Sequence, residues 1–80
     1  MRFISGDLIK TIKYKDIDIF ATRKFRFENK KLIHVGITKL EENLIGFIIS
    51  FLFDYDDEFY YKCYIDGNIV ILTENNLIKL

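Results

Sequence analysis

Polar and apolar side chains alternate along much of the chain, the period of a half-buried β-strand rather than of a helix. The clearest case is Ile65-Asp66-Gly67-Asn68-Ile69, where Asp-Gly separates two apolar runs. Both central residues of such a two-residue hairpin turn need positive φ, which Asp tolerates and Gly adopts freely. With Asp66 and Gly67 as the turn, Cys63 faces Val70 and Tyr61 faces Leu72. One face then carries Phe59, Tyr61, Cys63, Ile65, Val70 and Leu72, and is the predicted core face. The other carries Tyr60, Lys62, Tyr64, Ile69, Ile71 and Thr73, and is too apolar to be left in water.

Upstream, Ile17 to Phe27 predicts a strand with Phe25 and Phe27 on the side opposite Lys24, Arg26 and Glu28. Asn29-Lys30-Lys31 reads as a turn and Leu32 to Ile37 as the returning strand. Ile12 and Tyr14, interleaved with Lys13 and Lys15, predict an earlier strand ending near Asp16.

Residues 38–53 carry two conflicting signals. Thr38-Lys39-Leu40-Glu41 matches a capping box, and Leu40, Leu44, Phe47, Ile48, Phe51 and Leu52 fall on one helical stripe. Gly46, however, costs ~1 kcal/mol inside a helix, and Ile- and Phe-rich runs suit strands. A turn at Glu41-Glu42-Asn43 followed by a strand buried on both faces is therefore favoured. A helix over 39–52 stays open, which would make the fold α+β.

Eighty residues fit one domain, 1–80, of mainly β class: a small antiparallel sheet or partly open barrel. The chain has no proline, and its single cysteine, Cys63, excludes an internal disulfide. Met1 to Asp7 lacks the basic-then-apolar order of a secretory leader. The apolar-rich uncharged stretch Leu44 to Phe53 is half the roughly twenty residues of a membrane helix. The expectation is a cytoplasmic protein with no membrane contact.

Gly6-Asp7-Leu8-Ile9, the glycine-led Gly46-Phe47-Ile48-Ile49, the hairpin from Tyr61 through Gly67 to Leu72 and the closing Glu74-Asn75-Asn76-Leu77 together resemble a Src-homology-3-like small barrel of the KOW and Tudor type. The resemblance covers about half the chain. It implies a module that binds peptides or nucleic acids and does no catalysis.

The residues themselves supply little catalytic chemistry. His34 is the only histidine and falls between Ile33 and Val35, on the outer side of a strand. Cys63, on the core face, is a small apolar side chain rather than a nucleophile. Asp54, Asp56, Asp57 and Glu58 are dense in carboxylate but lack the glycine bend of a calcium loop. Asp16 and Asp18 have no cleft residues around them, and the four glycines are too scattered to cradle a phosphate. The sequence predicts no enzyme, no small-molecule substrate, no cofactor and no metal.

Charge is divided unevenly. The net charge is zero, yet residues 1–40 carry +6 and residues 41–80 carry −6. Either the two halves lie side by side and neutralise each other, or they form separate patches. Three functions follow. The first is a binding protein that occludes or modulates a larger partner protein, a nucleic-acid-handling one included, as a phage or mobile-element inhibitor would. Its contacts would be Asp54, Tyr55, Asp56, Asp57 and Glu58 as an acidic rim beside Tyr60, Tyr64, Ile69 and Ile71. The second is a nucleic-acid-binding barrel gripping phosphate with Arg23, Lys24, Arg26, Lys30 and Lys31, bases interleaved with Phe25 and Phe27. The third is a structural homodimer.

Overall fold

The Asp66-Gly67 turn folds as its residue types dictate, with φ of +51° and +80°. It joins β7 (Glu58–Ile65) to β8 (Asn68–Thr73), with Cys63 opposite Val70 and Tyr61 opposite Leu72. The structure, a computed structural model describing residues 2–80, is mainly β: every paired strand is antiparallel, and no barrel closes. The remaining strands are β1 (Leu8–Thr11), β2 (Ile19–Ala21), β3 (Lys24–Glu28), β4 (Lys31–Val35), β5 (Thr38–Leu40), β6 (Ile45–Tyr55) and β9 (Leu77–Lys79). A single 3-10 turn, Glu74–Asn76, precedes β9.

Five strands form the main sheet in the order β8-β7-β6-β1-β9, and β2 pairs with β5 and β3 with β4 in two small ribbons. One face of the main sheet packs on the core of Phe3, Ile9, Ile19, Ala21, Ile48, Tyr61, Cys63, Ile65, Val70, Leu72 and Leu77. Burying each large apolar side chain stabilises the fold by about 1.5–3 kcal/mol. The hydroxyls buried beside them are bonded, those of Thr11 and Tyr61 among them. Thr11 Oγ1 donates to the Glu41 carbonyl at 2.7 Å and accepts from the Leu44 N–H at 3.0 Å. Tyr61 donates to Glu74 Oε2 at 2.9 Å, and Arg2 holds the other oxygen of that carboxylate at 2.8 Å.

The helix over 39–52 is not formed. Residues 38–40 are β5, Glu42 and Asn43 make a turn, and β6 runs from Ile45 to Tyr55. Gly46 shows one reason: a Cβ there would overlap the Tyr64 carbonyl oxygen across the ladder. The helix-like stripe has its own cause. Two β-bulges interrupt the β6–β7 register, at Ile49 and at Leu52. Each inserts one residue, so Ile48, Phe51 and Asp54 share a face at a spacing of three. Nor is β6 buried on both faces, since Phe47, Phe51 and Leu52 are exposed.

Two further boundaries differ from expectation. The strand predicted around Ile12–Tyr14 is displaced to Leu8–Thr11. Tyr14 instead bridges Ile17 over a turn in which Lys15 and Asp16 both have positive φ. The Ile17–Phe27 strand is broken at Thr22-Arg23, because its halves have different partners: Ile19 to Ala21 pair with β5, Thr22 bridges Ile71, and Lys24 onward pairs with β4.

Candidate functional site

Two surfaces, at opposite ends of β6, gather the residues singled out from the sequence. The first is built where the β3–β4 ribbon lies on the outer face of the β6–β7 hairpin. Strand pairing puts Phe25 opposite His34 and Phe27 opposite Leu32, so these four share one face. That face meets Phe53, Tyr55 and Tyr60. Phe25 stands edge-on to Phe53, Tyr60 and His34, at centroid distances of 5.6, 5.2 and 4.7 Å. Phe27 meets Phe53 at 6.0 Å and Tyr55 at 6.3 Å, while Phe53 stacks on Tyr60 at 5.0 Å. Edge-to-face pairs of this kind add about 0.5–1.5 kcal/mol each beyond area burial.

The cluster fixes both hairpin tips at one end of the molecule. β3 climbs from Phe25 to Phe27 as β6 climbs from Phe53 to Tyr55, so the Asn29-Lys30 turn and the Asp56-Asp57 turn lie side by side. All four turn residues have positive φ. The basic and acidic halves are therefore neighbours, held by aromatic contact. Arg2–Glu74, Lys13–Glu42 and Asp7–Lys79 pair the two halves elsewhere, but among the described residues no ion pair joins the two tips, and Asp54, Asp56, Asp57 and Glu58 are in none at all. Glu58 instead accepts the Tyr60 hydroxyl at 3.1 Å. Burial, reinforced by the Glu58 carboxylate, pushes the Tyr60 phenol up to about 12.

Tyr60 is thus not part of an exposed patch with Tyr64. Alternation places it on the outer side, but the β3–β4 ribbon covers it, leaving it 6% exposed. Ile71 is half-buried, its backbone bonded in both directions to Thr22. Glu58 and Asp56 lie beside Tyr60, and Tyr64 lies four residues further along β7, about 13 Å away.

The second surface is the outer face of the main sheet at the other end. Tyr64 stacks on Phe47 at 5.4 Å and is paired with Ile69 across β7–β8. Phe47 is paired in turn with Leu8 of β1. All four are exposed. Tyr64 and Ile69 were legible from the hairpin pattern. Leu8 and Phe47 were missed because only the β1–β6 pairing, some forty residues apart in the chain, brings them alongside.

The other candidates have structural roles. His34 Nδ1 lies 2.8 Å from Thr22 Oγ1, a satisfied histidine that closes the ribbon against β2. Cys63 is fully buried, and burial pushes its thiol up to about 12, away from nucleophilic reactivity. Asp18 pairs with Lys39 at 3.2 Å and Lys13 at 3.7 Å, while Asp16 sits in the neighbouring turn. Among the described residues no three His, Cys, Asp or Glu side chains converge on a metal position, and no helix is long and apolar enough to cross a membrane.

Compared with known protein families, curated proteins and solved structures, the chain matches none of them.

Proposed function

We propose that the protein is a small non-enzymatic binding module that occludes or modulates a larger partner protein through its paired hairpin tips. One observation carries this: among the described residues Asp54, Asp56, Asp57 and Glu58 are in no ion pair, and they adjoin Tyr55 on a hairpin that the Phe25 cluster locks to the ribbon carrying the 63% exposed Phe27. A preordered aromatic ring inside an acidic rim is suited to a basic, apolar-floored groove, since little entropy is lost on docking. The rim speeds encounter and makes it salt-sensitive. Size and composition fit an inhibitor of the kind phages and mobile elements encode. The elements that resemble a Src-homology-3-like module, β1, β6 from Gly46, the β7–β8 hairpin and β9, share one sheet, which supports the same class.

The test is site-specific photocrosslinking in native-host extract from position 27 and, as control, from position 13. A product specific to position 27, weakened by Asp56→Lys with Asp57→Lys, is expected. Equal crosslinking from both positions, or indifference to the charge reversal, removes the proposal.

A second reading, phosphate binding by Arg23, Lys24, Arg26, Lys30 and Lys31, is favoured by one feature. Lys24 and Arg26 project from the ribbon face opposite the aromatic cluster, beside Ile33 and Val35. Against it, Phe25 is engaged in packing instead of offering a ring to bases, and the acidic tip adjoins the basic one. Nucleic-acid titration decides: binding must fall with salt at a log–log slope of about −0.7 to −0.9 per contact.

A further inference from the structure

The outer face of the main sheet carries an apolar row that crosses four strands and reaches the residue after β9. Register places Leu8 beside Phe47, Phe47 beside Tyr64 and Tyr64 beside Ile69. The Leu80 N–H bonds to the Leu8 carbonyl at 3.0 Å, which brings Leu80 to the far end of the row. These five side chains are between 40% and 57% exposed. One row along, Ile78 and Ile45 flank Lys10, and both isoleucines are exposed. Nothing among the described residues covers this face. Its seven apolar side chains, each at least 40% exposed, form a contiguous patch of a kind that a small monomer rarely leaves in water and that stable two-fold interfaces bury.

We infer that this face is covered by a second copy of the same chain, in a two-fold dimer packed sheet on sheet. Two-fold interfaces must be self-complementary, and this row is. With the axis lying between the sheets and parallel to β6, Phe47 meets the partner's Phe47, Leu8 meets the partner's Tyr64 and Leu80 meets the partner's Ile69. The same rotation settles the charges. Asp66, the turn residue that follows Ile65, lies level with Ile45 at the end of β7, and the axis brings the partner's β7 end over Lys10 of β1. Among the described residues neither Lys10 nor Asp66 has an ion-pair partner. In the dimer each Lys10 meets the turn that carries the partner's Asp66, one row along from the apolar row and on either side of Ile45. Sheets stacked about 10 Å apart leave room for a lysine side chain to reach across. The face lies eight residues along β6 from the acidic tip, about 25 Å, so both pairs of tips stay free.

Sedimentation velocity of the whole chain, from micromolar to hundred-micromolar concentration, tests this. A dimer is expected, with Phe47→Asp raising its dissociation constant about 30-fold or more, as loss of a central anchor does. Ile69→Glu, at the exposed end of the row, supplies the same readout should Phe47→Asp fold poorly. Lys10→Asp and Asp66→Lys should each weaken the dimer, and the two together should restore it. A monomer throughout the range overturns the proposal, as does a dimer indifferent to both face variants. A monomer that binds lipid vesicles or a foreign protein through Phe47 overturns it in favour of that occupant. Charge reversals that fail to compensate overturn the axis.

Discussion

The rings of Phe25 on β3 and Tyr60 on β7 meet edge-on, centroids 5.2 Å apart and planes at 78°, and this contact joins the basic ribbon to the acidic hairpin. No backbone ladder connects β3 to the main sheet. The ribbon's position therefore depends on side-chain packing.

Phe25→Ala should cost about 2–4 kcal/mol, somewhat below the range for a fully buried phenylalanine because Phe25 is half-buried. Its signature is local: amide exchange should accelerate through residues 24–35 while β7 and β8 keep their protection. Uniform acceleration across all strands would show that the ribbon is integral to the main sheet.

Thr11→Val should cost about 1–3 kcal/mol, measured by urea denaturation, although it replaces a buried hydroxyl by a methyl of similar size. The loss leaves the Leu44 N–H and the Glu41 carbonyl without their side-chain partner. Thr11→Ser retains both bonds and should recover most of the stability. Equal losses for Val and Ser would assign the effect to the missing methyl.

Stability should fall from about pH 9 upward. The Cys63 thiol is pushed from 9.0 to about 12 and the Tyr60 phenol from 10.0 to about 12, both chiefly by burial. Burial and the Glu74 hydrogen bond raise Tyr61 as well. Each group holds its proton more tightly when folded, so its contribution is complete below the unfolded pKa and is lost as pH rises through the folded one. Urea midpoints should decline first over the thiol's range, then more steeply above about pH 10. Cys63→Ala should remove the earlier part of the decline. A midpoint unchanged between pH 8 and 11 would contradict these burials.

What could be read in advance was local. Asp66-Gly67 declares its turn through backbone chemistry, and it fixes the side chains of β7 and β8 to the correct faces. Tyr60 shows where such reasoning ends. Alternation puts it on the outer side, but its cover comes from Phe25, thirty-five residues earlier, and no local pattern encodes that contact. In β6 the bulges at Ile49 and Leu52 change a period of two into a spacing of three, which imitates a helix. The candidate contact residues were split for the same reason: Asp54 to Tyr60 and Tyr64 to Ile69 share a hairpin but lie on two surfaces that long-range pairing separates.

The placement of β1 has a kinetic consequence. Its neighbours are β6, beginning at Ile45, and β9, beginning at Leu77. The β6–β7–β8 meander closes over short turns, whereas β1 joins the sheet only after long loops have closed, a step whose entropic cost precedes its reward. On a ribosome, Leu8 to Thr11 emerge well before Ile45 and Leu77 and wait for both before the two edges of the strand are paired. Throughout that interval an apolar strand stands with open edges, so the nascent chain is at its most prone to aggregate just before it becomes native.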